Sequence, residues 1–161
     1  MSELEPRPVR ESSSEYSELA MPNDANPLGT LFGGKVMHLV DLCGSLAAAR
    51  HARRPVVTAS VDHMDFRCPV HIGQLLVLQS SVNRVFRTSM EVGVRVSVED
   101  LRTGEVRQTS SAFLTFVALG EDGKPAEIPR VIPETPDEQR RFRQAGERRQ
   151  MRLDMKARCR T

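Results

Sequence analysis

The sequence has no tryptophan, one tyrosine and six phenylalanines among 161 residues. So few and so scattered rings cannot form the stacking platforms that hold single-stranded nucleic acid. Charge of one sign is missing as well: 23 Lys and Arg stand against 21 Asp and Glu, a net +2, which generates no field to gather polyanions. The three cysteines, Cys43, Cys68 and Cys159, are odd in number and lack CxxC spacing, which argues against a disulfide framework and against zinc. No secretory pattern opens the sequence, so reduced thiols in a cytoplasmic protein are expected. No apolar run reaches the roughly 18 to 20 residues that span a bilayer, because Lys35, His38 and Asp41 interrupt the best candidate. GxSxG and Walker-type loops are absent too, which removes two common hydrolase chemistries.

What remains is one domain's worth of chain. Residues 1–14, MSELEPRPVRESSS, mix charge, proline and serine and are expected to form a mobile arm. A short strand over Tyr16 to Met21 follows, then NDANPLG, dense in turn formers. From Thr30 or from the glycine pair Gly33 and Gly34, a helical run extends to Arg50–Arg54, apolar on nearly every side and therefore expected to be buried all round. Gly44, Ser45 and the alanines allow a neighbouring surface to approach closely, and Pro55 ends the run.

The β-branched segment Val56 to Phe66 predicts a second strand, and Leu75–Phe86, Met90–Val98 and Val106–Leu119 predict three more. Met90, Val92, Val94, Val96 and Val98 alternate with polar neighbours, the pattern of a sheet with one dry and one wet face. The short turns at Arg87–Ser89 and Asp100–Glu105 make a meander of the last three strands. Together these give an α+β layer of one long helix on an antiparallel sheet. Glycine and proline then mark an extended exit, and a polar helix from Pro136 to Arg158 closes the chain. Its apolar stripe, Phe142, Ala145 and Met151, is thin enough for light packing or for contact with another subunit.

Asp41 is the residue that invites chemistry, because a carboxylate in an apolar helix is costly unless it is paired or useful. Gly34, His38 and Ser45 share its helix face. Free N–H groups at a helix start polarise a carbonyl oxygen or hold an anion, and glycine lets a ligand come close. Asp41 is therefore either a satisfied buried acid or a catalytic one. Cys43 faces elsewhere. His38 and His63 would matter only if the chain were a dehydratase with a histidine opposite the acid. Asn23, Asp24 and Asn26 read singly as turn makers.

The blocks PNDANPLGTLFGGKVMHLVD, VDHMDFRCPVHIGQLL and SSAFLTFVALGEDGKPAEIP resemble, in order and spacing, the hotdog-fold acyl-CoA thioesterases of the cytosolic acyl-CoA hydrolase group. The resemblance covers about residues 16 to 129, so a thioesterase domain is expected over 15–129, followed by an extended segment and polar helix over 130–161. It implies a long central helix wrapped by a five-stranded sheet of order 1-3-4-5-2, dimers paired through strand 56–66, further association as a trimer of dimers, and a site between subunits. It assigns catalysis to Asp41, to Gly34 as the carbonyl-polarising amide with Gly33 beside it, and to Asn26 from the partner subunit. Asp41 is then general base or nucleophile. Arg84, Arg87, Thr88 and Ser89 match the region that holds coenzyme A, which enters as part of the substrate, with no separate cofactor and no metal. The acyl chain is expected beside the helix near Met37, Val40 and Leu42. A non-catalytic acyl-CoA sensor on the same fold is the competing expectation.

Overall fold

The computed structural model describes residues 4–160. Its chain order is β1 (Arg7–Pro8), a 3-10 turn at Val9–Glu11, β2 (Ser14–Leu19), α1 (Gly33–Ala52), β3 (Val56–Met64), β4 (Leu75–Phe86), β5 (Ser89–Glu99), β6 (Val106–Ala118), β7 (Val131–Ile132) and α2 (Pro136–Arg158). The five longer strands form one antiparallel sheet of order β2-β4-β5-β6-β3. This is the α+β hotdog arrangement expected, with α1 laid across the sheet's inner face.

The alternation in β5 decides the layering. Val92, Val94, Val96 and Val98 point inward with Leu114 and Phe116 of β6 and meet Val36, Leu39, Val40, Cys43, Ala47 and Ala48 of α1. Gly44 permits the closest approach: a methyl group there would lie 3.2 Å from the Phe116 ring and 3.4 Å from Val94. Each buried aliphatic side chain in this layer contributes about 1.5–3 kcal/mol by leaving water, so the inner face supplies most of the driving force.

Two expectations need correction. The first is the mobile arm. Residues 1–3 lie outside the described residues, but residues 7–14 are tied down. Arg7 and Pro8 pair in parallel with Val131 and Ile132, Val9 and Ser12 are buried, and the Ser12 hydroxyl accepts the Val82 N–H at 2.9 Å. The Arg7 guanidinium donates to the His51 carbonyl at the end of α1. The Arg7 guanidinium and the Ser12 hydroxyl outweigh a polar composition because each satisfies a backbone group that α1 or β4 would otherwise leave bare.

The second correction concerns α1, which is not covered on every side. Met37, Leu42 and Leu46 are exposed, spread over the broad side of α1 that the single sheet does not cover. α2 lies on the opposite, outer face of the sheet. Ala145 is buried and Phe142 packs on the core, but Met151 is exposed, so the expected stripe is cut short. Among the described residues, no helix is long and apolar enough to cross a membrane.

Candidate functional site

The site forms where α1 begins. Leu31 donates its N–H to the Val70 carbonyl at 2.8 Å and Phe32 donates to the Asp24 carbonyl at 3.2 Å, which fixes the entry of the chain. Phe32 is the N-cap residue and offers no side-chain cap. Lys35 and Val36 donate their N–H groups to the Phe32 carbonyl at 3.0 and 3.3 Å, which leaves the amides of Gly33 and Gly34 without an acceptor among the described residues. Gly33 and Gly34 are exposed, and a methyl group on Gly34 would meet nothing within 4 Å. The helix dipole adds a positive end to an open, donor-rich surface. Lys35 is drawn aside by Glu18 at 2.7 Å and Asp24 at 3.4 Å. The Lys35 ammonium and the Tyr16 hydroxyl hold the Glu18 carboxyl below its ordinary value, Lys35 with the larger effect.

Asp41 lies two turns further along the exposed stripe, half-buried. Its Oδ1 accepts a hydrogen bond from the Thr58 hydroxyl of β3 at 2.5 Å. That leaves Oδ2 for another partner, so Asp41 is neither the fully satisfied buried acid nor an isolated one. Thr58 was missed in the sequence, where nothing distinguishes it from its neighbours in a β-branched run. Only the antiparallel pairing of β3 with β6 carries it past α1.

The other expected residues are not all brought to Asp41. Asn26 uses its side chain in its own loop: Oδ1 accepts from the Leu28 N–H at 2.9 Å and the Thr30 N–H at 3.2 Å, while Nδ2 donates to the Thr30 hydroxyl at 2.8 Å. His38 is exposed on the outer stripe, and His63 is exposed and bonded to Asp65 at 2.9 Å. Cys43 is buried, and burial raises its thiol pKa, the opposite of what a nucleophile needs. Val40 is buried beneath the helix, whereas Met37 and Leu42 face outward.

At the β4–β5 turn, Arg87 adopts a left-handed φ of 53°, its side chain is exposed, and among the described residues its ion-pair partner is Glu127 at 3.9 Å. It lines a cavity of about 690 Å³ with Pro6, Val85, Glu127, Ile128 and Arg130. Arg84 is committed to α2, its guanidinium 4.3 Å from the centre of the Phe142 ring. The Thr88 carbonyl accepts from the Ala118 N–H at 3.1 Å, and the Ser89 hydroxyl accepts from Arg149 at 3.4 Å. The four residues thus share a turn, but only Arg87 presents a largely uncommitted cation.

Residues 28–105 match the model of the thioesterase superfamily. An acyl-CoA thioester hydrolase from Bacillus subtilis, YkhA, is 46% identical over 83% of this chain and 78% of its own length. A hexameric acyl-CoA thioesterase superimposes with a TM-score of 0.91 at 42% identity, covering 94% of this chain and 98% of that one. An acyl-CoA hydrolase from Staphylococcus aureus, solved with butyryl coenzyme A, coenzyme A and coenzyme A disulfide, gives a TM-score of 0.87 at 33% identity over 96% of both chains. The same S. aureus protein was also solved as variants with an aspartate, an asparagine or a threonine replaced by alanine.

Proposed function

The chain belongs to the thioesterase superfamily as an acyl-CoA thioester hydrolase of the hotdog fold, and on that premise we propose that Asp41 and the start of α1 carry out the cleavage of acyl-CoA to free acid and coenzyme A. One observation carries this reading. A carboxylate with one oxygen held by Thr58 and the other uncommitted stands on the same exposed helix stripe as uncapped amides and an open Gly34.

The chemistry follows from that placement. The thioester carbonyl oxygen accepts from the Gly34 N–H, which stabilises the negative charge that develops there. Asp41 takes a proton from water as the water oxygen bonds to the carbonyl carbon. The tetrahedral intermediate then expels the coenzyme A thiolate, which receives the proton that Asp41 holds. Direct attack by Asp41 gives an acyl anhydride that water hydrolyses, and the same residues serve. Thr58 fixes the rotamer of Asp41 and leaves Oδ2 facing the reaction.

Asn26 of the partner subunit completes the site. The Asn26 loop is held by its own hydrogen bonds, and among the described residues β3 has one edge unpaired, with Val57 and Val61 of that strand exposed. Pairing of two such edges satisfies their free backbone groups and joins two sheets, in keeping with the hexameric relatives. Arg87, with Arg130 across the cavity, takes the coenzyme phosphates. Thr88 and Ser89 shape the turn that presents Arg87, and Arg84 steadies α2 beside it.

Thiol release from a series of acyl-CoA chain lengths tests the reading. Asp41→Asn lowers kcat at least about 100-fold, the loss expected for a general base or nucleophile, while substrate still binds. Unchanged release by Asp41→Asn removes Asp41 from the mechanism, and binding without any release by the wild type points to a sensor.

A further inference from the structure

The two glycines at the start of α1 have unlike surroundings. Gly34 looks onto empty space, whereas a methyl group on Gly33 would lie 3.4 Å from Cζ and 3.5 Å from Cε2 of the Phe66 ring. The helix start is therefore open on one side and walled by an aromatic ring on the other. Phe66 is 49% exposed, so one face of the ring is open to a ligand beside the helix start.

The ring is held where it is. Phe66 lies just past β3 and directly ahead of two anchors: the Arg67 N–H donates to the Thr109 carbonyl of β6 at 3.0 Å, and the Val70 carbonyl accepts from Leu31 at 2.8 Å. Thr109 and Val70 are themselves buried. One anchor ties the segment to the sheet and the other to the residue two positions before the helix. The backbone that carries the ring is thereby tied both to the sheet and to the approach of α1.

We propose that Phe66 is a specificity residue for the hydrolysis, forming the apolar wall against which the first methylenes of the acyl chain lie when the thioester oxygen reaches the amide of Gly34. The inference rests on the functional reading above. It separates the surroundings of the glycine pair: Gly34 gives open access to its amide, and Gly33 lies within van der Waals reach of the ring. A thioester approaching the open side has its carbonyl directed to the N–H groups and its α and β carbons directed along the ring. Acetyl-CoA lacks the methylenes that such a wall would cover, and butyryl-CoA has them.

The test compares kcat/KM for acetyl-, butyryl- and hexanoyl-CoA in the wild type, Phe66→Ala and Phe66→Leu, with thermal melts and light scattering on each protein. Burial of two or three methylenes predicts that Phe66→Ala loses roughly 15- to 60-fold on butyryl- and hexanoyl-CoA and less than about 3-fold on acetyl-CoA. Phe66→Leu keeps most of the wild-type preference. An equal loss on all three substrates, or no loss on any, overturns the proposal, as does a fall in particle mass for Phe66→Ala, which would assign the ring to a subunit contact. A wild type that releases no thiol from any substrate refutes the hydrolytic reading itself, so the two failures are separable.

Discussion

The two helices are nearly equal in length, 20 residues in α1 and 23 in α2, and they are attached to opposite faces of one sheet by opposite means. α1 sits on valine, leucine and phenylalanine, and has no side-chain cap. α2 begins with a capping box at Thr135 and Glu138 and is held by charge. Arg148 makes two hydrogen bonds to the fully buried Glu91, at 3.0 and 2.7 Å, and Arg152 reaches Asp62 at 2.6 Å. The guanidinium of Arg148 also lies 3.6 Å from the centre of the Phe113 ring. Burial without direction fixes α1 and leaves its start chemically free. Directed polar contacts fix α2 and spend the charges of Arg148 and Arg152 on Glu91 and Asp62.

The largest expected effect breaks the polar side of this comparison. Glu91→Ala removes the carboxylate that Arg148 and Asn83 both contact and strands a guanidinium that is mostly buried. A loss of about 3–5 kcal/mol in unfolding free energy is expected, measured by urea titration. Glu91→Leu combined with Arg148→Met recovers most of it, because the pair's desolvation cost goes with the pair. On the other face no such recovery exists for Leu39→Ala, which deletes volume rather than a partner and costs about 2–5 kcal/mol.

A smaller effect is expected at the far end of α1, where the apolar rule has an exception. His51 is fully buried, its Nε2–H donating to the Pro129 carbonyl at 2.8 Å while Nδ1 has no partner. Burial is the main cause that lowers its pKa, opposed by the hydrogen bond to the Pro129 carbonyl and more weakly by Glu11, with the nearby Arg7 acting in the same direction as burial. The folded chain therefore keeps the ring neutral where the unfolded chain, near the ordinary value of about 6.5, takes up a proton. Stability is full above that value and falls as pH drops below it, by at most about 1.4 kcal/mol per pH unit. Urea midpoints between pH 7.5 and 5 for the wild type and His51→Gln check this, and the variant should show a flatter dependence.

The legibility of the sequence follows the same division. α1 and the main strands were readable because valine alternation and an apolar helical run are local signals, and even α2 was placed at Pro136–Arg158. Asp41 stood out because a carboxylate is costly among aliphatic neighbours. Thr58 did not, since its meaning depends on β3 crossing beside α1. The short β1–β7 pair was equally invisible: Arg7 and Val131 are far apart in sequence, and each strand is only two residues long. Charge-mediated docking of α2 was hidden too, because Glu91 in an alternating strand reads as a wet position until Arg148 arrives to cover it.

The smallest effect sharpens the contrast between the helix starts. Thr135 accepts from the Glu138 N–H at 3.2 Å, and the Glu138 carboxylate accepts from the N–H groups of Thr135 and Glu134 at 3.1 and 2.7 Å. Thr135→Ala removes half of this reciprocal cap and costs about 1 kcal/mol, read as a lowered urea midpoint with thiol release unchanged. The matching experiment on α1 is Phe32→Asp, which places a side-chain acceptor where α1 has none. A gain or small change in stability with a loss of thiol release is expected, because the new carboxylate occupies the amides that the thioester oxygen needs. If release is retained, those amides are not the polarising groups, and the lack of a cap at Phe32 is only a consequence of how the Leu31 and Phe32 backbone enters the helix.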